Sequence, residues 1–183
     1  MVADVCCDNT DIAMMVSDTE FHYKTIAIII LDGNLLTVKH QDFPYYYMVG
    51  GRTTINETSQ QAVVREVHEE TGYITKVDRL CFVEESIYES FGTNFHIVSL
   101  HYLMKVSSDF TVADGKPTDQ GEKEKLYWLP LKDLNKYDLR PSFLKQKLSD
   151  GIDKIIGIEH IVTQKEIHKG AKNEHTQKSI NRP

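Results

Sequence analysis

Three glutamates that stand close together in the sequence, Glu66, Glu69 and Glu70, could hold a divalent cation. In a helix, which advances about 100° per residue, their side chains fall within an arc of roughly 100°. Glu66 and Glu70 form an i,i+4 pair of like charge, so a cation bound between them would relieve their repulsion. Carboxylate oxygens are the ligands that hard ions such as Mg²⁺ and Mn²⁺ prefer, and no cysteine and histidine cluster competes for a softer metal.

The helix that would carry these glutamates is delimited by sequence features at both ends. Thr58 is a suitable N-cap, and Gln61 three residues later completes a capping box. Gly72 stands where a left-handed C-terminal cap would fall. Val63 and Val67 provide an apolar face that could dock on a sheet. A charged stripe on such a helix is more often a solvated surface than a metal site, so the helix alone leaves both interpretations open.

The charged residues and glycines around this helix follow a family pattern. In chain order they are Gly51, Glu57, Arg65, Glu66, Glu69, Glu70 and Gly72. This pattern resembles the Nudix box of the Nudix (MutT-like) hydrolases, and all seven of its charged or glycine positions are filled. Val49 stands where the family often has proline, and Tyr73 where it usually has an aliphatic residue. Both departures fall at packing positions, so we expect little chemical consequence.

The resemblance covers about residues 20–135 and implies both a fold and an activity. The implied fold is α/β (α+β), a Nudix-type α/β/α sandwich with a mixed β-sheet. The implied activity is divalent-metal-dependent hydrolysis of the pyrophosphate bond in a nucleoside diphosphate linked to another moiety, with Mg²⁺ or Mn²⁺ as cofactor. Bound divalent ions neutralise phosphate oxygens and orient the attacking water. Family members are often homodimers, so a homodimer is one expected assembly.

The resemblance also assigns roles to the residues of the box. It implies four metal ligands, which are the carboxylates of Glu66, Glu69 and Glu70 and the carbonyl of Gly51. Glu66, Glu69 and Arg65 are expected at the catalytic centre. Glu57 would tie the preceding loop to the helix, Arg65 would orient Glu57 and Glu66, and Gly72 would end the helix. These last roles are as much architectural as catalytic.

A general base must activate the attacking water, and family members place it either in the box or in a downstream loop. In this chain the loop candidates are Glu122 and Glu124, which stand just ahead of Trp128. Glu84 and Glu85 are weaker candidates. A loop rich in glycine, lysine and glutamate is by default only solvated, so the identity of the base stays open at this point.

An aromatic cluster before the box offers stacking surface for a nucleobase. Because successive strand residues point to opposite faces, only some of these rings could reach a ligand. We expect Tyr45 and Tyr47 to bind substrate and Tyr46 to lie in the core. His96 and His101 are expected to be ordinary strand residues.

Hydrophobic patterning predicts the other elements of the fold. Strands are predicted over 12–16, 24–31, 35–40, 74–85, 95–106, 126–129 and 157–164. Short helices are predicted over 131–137 and 141–148, and loops over 41–52 and 107–125. Strands on either side of a helix, joined by hairpins and crossovers, also favour an α+β or α/β sandwich.

Composition limits the classes of protein to which the chain could belong. Its 183 residues predict a single domain over 1–165 followed by a polar tail over 166–183. A net charge of −6 argues against nucleic-acid binding, and no apolar run approaches the length of a membrane span. Three cysteines, two of them adjacent, do not form a disulfide framework. We therefore expect a cytoplasmic protein, and the family resemblance implies that its partner is a small nucleoside diphosphate derivative.

Two alternatives to a hydrolase remain at this stage. The first is a non-catalytic Nudix-fold module that binds or regulates a nucleotide; lost carboxylates would favour it, but none is missing. The second is an isomerase relative that acts on an isoprenoid diphosphate and needs a reactive cysteine. Cys81 is the candidate, but it stands in an apolar strand, where we expect a packed thiol.

Overall fold

The computed structural model describes residues 10–90 and 92–164, which form two mixed β-sheets with helices packed against them. In chain order the strands are β1 (Ala13–Val16), β2 (Thr19–Ile28), β3 (Ile30–Leu31), β4 (Asn34–His40), β5 (Tyr46–Tyr47), β6 (Gly50–Arg52), β7 (Lys76–Ser90), β8 (Thr93–Lys105), β9 (Pro117–Thr118), β10 (Gly121–Pro130), β11 (Leu139–Arg140) and β12 (Glu159–Gln164). The helices are α1 (Ser59–Thr71) and α2 (Phe143–Ser149), and 3-10 turns cover Leu131–Lys136 and Ile152–Lys154.

The first sheet has the strand order β1-β2-β8-β7-β12 and forms the platform beneath the candidate site. Its central strands β2 and β8 are parallel, whereas β7 and β8 form a long antiparallel hairpin. The short strand β6 pairs with β2 and places Gly51 opposite Thr25. The second sheet has the order β11-β5-β4-β10-β9, with β3 added beside β4.

Strand alternation divides the apolar core into two clusters. On β2, Ala27 packs in the cluster that contains Val63 of α1, whereas its neighbour Ile28 packs in the cluster that contains Leu144 and Leu148 of α2. The first sheet therefore has a helix on each face. This arrangement confirms the α/β/α sandwich that the sequence predicts.

Several predicted elements are confirmed, and the differences have physical causes. The apolar run over 24–31 is not one strand, because β2 ends at Ile28 and β3 already pairs with β4 in the second sheet. The predicted loop over 41–52 contains β5 and β6, which pair with β4 and β2, and the predicted loop over 107–125 contains β9 and the start of β10, which pair with each other. The predicted helix over 131–137 is a 3-10 turn. The predicted tail over 166–183 and the adjacent pair Cys6 and Cys7 lie outside the described residues.

Candidate active site

Helix α1 begins and ends where its caps predict. The Thr58 hydroxyl accepts from the Gln61 backbone N–H at 3.2 Å, and the Gln61 side chain accepts from the Thr58 N–H at 2.9 Å. Gly72 closes the helix with φ 80°, a conformation that glycine adopts without strain. Buried Val63 and Val67 fix the helix against the first sheet. The face that carries Glu66 and Glu70 consequently lies over β6.

The two glycines of β6 allow this close approach between helix and strand. A Cβ atom added to Gly51 would lie 2.4 Å from the carboxyl carbon of Glu66. A Cβ added to Gly50, whose φ is 136°, would lie 2.3 Å from the carbonyl oxygen of Thr25. Only glycine fits at either position without moving its surroundings. The Glu66 carboxylate therefore rests directly against the backbone of β6.

Arg65 connects the acidic residues of the box to one another. Its Nε donates to Glu57 Oε1 at 2.9 Å, and its Nη1 donates to Glu66 Oε1 and Glu69 Oε2, both at 2.9 Å. The hydrogen bonds that Arg65 donates to Glu57 are the largest cause of its raised pKa. Burial alone would raise the pKa of Glu57, but hydrogen bonds from Arg65 and Thr54 outweigh it and lower that pKa. The fork of Arg65 therefore holds the loop against the helix.

Glu70 is the most deeply buried acid of the box, with 8% of its surface exposed. Its Oε1 accepts from the Gly50 N–H at 3.0 Å, whereas its Oε2 is buried and has no hydrogen-bond partner within residues 10–90 and 92–164. Burial raises the pKa of Glu70 well above its usual range; the Gly50 N–H opposes the shift, and the charges of Glu124 and Glu66 add to it. A buried carboxylate oxygen without a donor is the kind of atom that a cation would satisfy.

The three glutamates expected to bind metal are not all gathered at one point. Burial raises the pKa of Glu66 despite the opposing effect of Arg65, and burial also raises the pKa of Glu70. Beside β6 there are thus two carboxylates whose charged forms are disfavoured by burial. The Glu69 side chain is 42% exposed and turns towards Arg65. Within residues 10–90 and 92–164, no three acidic, histidine or cysteine side chains form a ready-made metal cluster. The donor set fits a hard cation at Glu66 and Glu70, and Glu69 would join only after leaving Arg65.

The structure separates the two loop candidates for the general base. Glu124 lies on β10 and accepts hydrogen bonds from the Tyr47 hydroxyl and from Thr118 Oγ1, the latter at 2.8 Å. Its charge contributes to the raised pKa of Glu70, so the two carboxylates are neighbours. The Glu122 side chain is 82% exposed and pairs with Lys125 at 3.4 Å. Glu124 is therefore placed at the site, and Glu122 is placed in solvent.

A cavity of about 600 Å³ opens beside this acidic site. Gly50 lines this cavity and donates its N–H to Glu70, so the cavity adjoins the acidic site. One wall is aromatic: the rings of Phe43 and Tyr45 are stacked at 5.3 Å, and Tyr45 meets Tyr47 edge to face at 6.4 Å. Burial, followed by the hydrogen bond to Glu124, raises the pKa of the Tyr47 hydroxyl. Both predicted substrate-binding tyrosines thus line the cavity.

Tyr46, between them in the chain, points elsewhere. Its ring packs edge to face on Tyr127 and Tyr137, at 5.9 and 5.7 Å, in agreement with its predicted place in the core. Cys81 is buried, and burial raises the pKa of its thiol, which agrees with a packed side chain.

The sequence pattern does not single out the residues of the cavity floor, among them Lys24, Ser86 and Ser99. Nor does it distinguish Glu84 from Glu85, which face opposite sides of β7. Glu84 is buried beneath the cavity, whereas Glu85 pairs with His96 at 3.0 Å on the other face. The sequence does show polar residues alternating with apolar ones in β2 and β7. Only the register of strand pairing shows that these polar residues lie next to one another. No helix among the residues described here is long and apolar enough to span a membrane.

Comparison with known proteins gives matches along much of the chain. A family model described as NUDIX domain matches residues 21–148. An ADP-ribose pyrophosphatase of Methanocaldococcus jannaschii is 34% identical over 82 residues, which cover 43% of this chain and 47% of that protein. The chain thus spans about half the length of this curated relative.

Solved structures extend the similarity to the three-dimensional fold. A NUDIX hydrolase from Nitrosomonas europaea aligns with a TM-score of 0.57 and 16% identity over 79% of either chain. A MutT protein from Methanosarcina mazei Go1 aligns with a TM-score of 0.53 and 18% identity over 76% of this chain and 99% of that one. At these identities the structures demonstrate a common fold.

Proposed function

Because this chain belongs to the NUDIX domain family, we propose that it is a hydrolase that uses a divalent metal ion to cleave the pyrophosphate bond of a nucleoside diphosphate linked to another group. The observation that carries the proposal is the pairing of Glu66 and Glu70 beside β6. Burial raises the pKa of both; the charges of Glu69 and Glu57 add to the shift at Glu66, and those of Glu124 and Glu66 add to the shift at Glu70. Among the described residues, Glu70 Oε2 has no hydrogen-bond partner. A bound cation would neutralise both carboxylates.

The residues that would hold the ion are Glu66, Glu70 and the carbonyl of Gly51, with Glu69 as a further ligand once it leaves Arg65. When bound, the ion would withdraw charge from the phosphate oxygens and make a water molecule more acidic. Hard oxygen ligands favour Mg²⁺ or Mn²⁺, in keeping with the family's general use of divalent metals.

The chain's own residues would position the substrate and take up a proton. Glu124 is suited to accept the proton of the attacking water, because it neighbours Glu70 and because Tyr47 and Thr118 fix its orientation. Arg65 would hold the loop in place through Glu57 rather than touch substrate. The stacked rings of Phe43 and Tyr45 offer a surface for the nucleobase.

The curated relative is an ADP-ribose pyrophosphatase, so ADP-ribose is the first substrate to test. The experiment incubates the full chain with ADP-ribose, UDP-glucose, ATP and a dinucleoside polyphosphate, each with Mg²⁺, with Mn²⁺ or with a chelator. We expect metal-dependent release of a nucleoside monophosphate or pyrophosphate from at least one of them.

A matched pair of variants completes the test. Glu70→Gln should abolish turnover, whereas Glu85→Gln, on the opposite face of the first sheet, should retain it. Substrate binding without turnover under every metal condition would contradict the proposal and favour a nucleotide-binding module instead.

A further inference from the structure

A row of polar side chains crosses the floor of the cavity on three neighbouring strands. Lys24 of β2 pairs in register with Ser99 of β8, and Ser99 pairs in register with Glu84 of β7. All three residues line the cavity. Neighbouring strands lie about 4.8 Å apart, so the backbones of Lys24 and Glu84 are separated by roughly 10 Å. The floor is thus cationic at one end, neutral in the middle and anionic at the other end.

The anionic end of the row is held rigidly. Glu84 Oε2 lies 3.0 Å from His101 Nε2, and Glu84 Oε1 accepts from the Ser86 hydroxyl at 2.8 Å. Glu84 and His101 are both buried, with the rings of Phe82 and Phe143 packed around the histidine. The carboxylate cannot swing towards Lys24 without breaking these contacts. Each of its oxygens still has lone-pair capacity for a donor in the cavity.

The cationic end lies next to the acidic site. Lys24 pairs in register with Arg52 of β6 and lines the cavity together with Gly50. Burial and the charge of Arg52 lower the pKa of Lys24, although Glu66 opposes them. Across residues 10–90 and 92–164, Lys24 makes no ion pair. A half-buried ammonium next to another cation is stabilised by an anion in the cavity.

Building on the proposed function, the geometry points to the Lys24–Ser99–Glu84 row as the element that selects a nucleoside diphosphate sugar. The ammonium of Lys24 binds the diphosphate beside the acidic site, and the carboxylate of Glu84 accepts hydrogen bonds from hydroxyl groups of the sugar. A carboxylate accepts hydrogen bonds and repels anions, so the far end of the floor favours a sugar over a further phosphate. A nucleoside triphosphate would bring its terminal phosphate to Glu84 instead of the hydroxyl groups of a second sugar.

The first test compares substrates on the unaltered full chain with Mg²⁺. We expect kcat/KM for ADP-ribose or UDP-glucose to exceed kcat/KM for ATP at least about tenfold, because ATP would bring a phosphate rather than sugar hydroxyls to the Glu84 carboxylate. Equal values, or a preference for ATP, would overturn the inference. This comparison does not depend on whether any variant folds.

The second test replaces Glu84 by glutamine, which keeps the shape but removes the charge. Glu84→Gln should lower kcat/KM for the better sugar substrate about tenfold and leave kcat/KM for ATP unchanged or higher. An equal loss with both substrates would assign Glu84 a purely structural role and refute its part in selection. Glu85→Gln is the matched control, because its carboxylate pairs with histidine on the opposite face of the same strand.

The third test concerns the cationic end. Lys24→Met should raise KM about tenfold for sugar and triphosphate substrates alike, and Lys24→Arg should restore most of the loss because it returns the charge. Lys39→Met is the control, since Lys39 is a strand lysine that covers the Tyr46 ring at 4.6 Å outside the cavity. An unchanged KM in Lys24→Met would overturn the assignment.

A binding measurement separates this inference from the proposed hydrolysis. Calorimetric titration with ADP-ribose in the presence of a chelator, with thermal unfolding as a check on folding, needs no turnover. If the unaltered chain hydrolyses nothing, the proposed function fails. Weaker ADP-ribose binding in folded Lys24→Met and Glu84→Gln would still support the role of the Lys24–Ser99–Glu84 row in binding the sugar nucleotide. Undiminished binding in both variants would refute that role.

Discussion

The acidic site and the cavity floor both depend on carboxylates, but they are built in opposite ways. In the acidic site, Glu66 and Glu70 lie one helical turn apart, and Glu70 Oε2 is buried with no hydrogen-bond partner in the part of the chain that the structure describes. On the floor, Glu84 is equally buried, yet both of its oxygens are engaged, by His101 and Ser86. The first arrangement is electrostatically incomplete and is suited to gain a cation. The second is satisfied and is suited to hold one orientation.

Because of this difference, we expect changes in the two regions to have different effects on the kinetics of the reaction. Changes in the acidic site should lower kcat for every substrate, because they remove groups that act on the phosphorus centre. Changes on the floor should alter KM and the ratio between substrates. Four predictions for the acidic site and its border with the floor test this division.

The largest effect is expected for Glu70→Gln. Loss of this ligand should reduce kcat by more than about 100-fold for sugar and triphosphate substrates alike. Because burial raises the pKa of Glu70, its ionised form destabilises the folded chain at neutral pH, and glutamine can still accept from the Gly50 N–H. The Tm of the metal-free variant should therefore be unchanged or higher. Steady-state kinetics measure the decrease in kcat, and calorimetric unfolding measures the Tm. A decrease in kcat that differs between substrates would contradict the division between the two regions.

Next in size is Arg65→Lys. Lysine cannot reproduce the fork that reaches Glu57, Glu66 and Glu69 at once, so the loop and the helix should separate. We expect kcat to fall about 10- to 100-fold, which is the range for residues that orient metal ligands. Arg79→Lys, which interrupts a partly exposed pair with Asp78 away from the site, is the control. Comparable losses in the two variants would indicate a general loss of stability.

How much of this could be read from the sequence depends on how local each feature is. The glutamates, Arg65 and both caps of α1 stand within a short stretch, so helical geometry brings them together. The family resemblance added the fold, and the two-sided packing of Ala27 and Ile28 agrees with it. The hydrogen bond from Arg65 to Glu69 was not predicted, because helical angles place side chains on a face without choosing their rotamers.

The cavity floor could not be read in this way. Lys24, Ser99 and Glu84 are far apart in the chain and meet only through the registers of two strand pairs. A shift of one residue in either register would turn these side chains to the other face of the sheet. For the same reason His101 resembled any strand residue until its distance to Glu84 was known.

A third prediction concerns metal binding without chemistry. A divalent ion that binds only the folded chain stabilises it by about 2.7 kcal/mol at 100 times its Kd, which corresponds to a rise in Tm of roughly 5–10 °C for a domain of this size. We expect this rise with Mg²⁺ or Mn²⁺ in the unaltered chain and in Glu84→Gln, but not in Glu70→Gln. Thermal unfolding with each ion and with a chelator measures it. A rise that persists in Glu70→Gln would place the ion elsewhere.

The smallest effect is expected at the border between the two regions, for Tyr47→Phe. Tyr47 lines the cavity while its hydroxyl donates to Glu124, so the variant removes one hydrogen bond from the proposed base and keeps the aromatic wall. The loss of one orienting hydrogen bond, which typically contributes about 0.5–1.5 kcal/mol, predicts a decrease in kcat of about three- to tenfold with KM nearly unchanged. Tyr46→Phe, whose ring packs on Tyr127 and Tyr137, should change neither constant. A change in KM alone would indicate that Tyr47 contributes to substrate binding with the cavity floor rather than to the reaction with the acidic site. The boundary between the two regions would then lie at β6 rather than at β5.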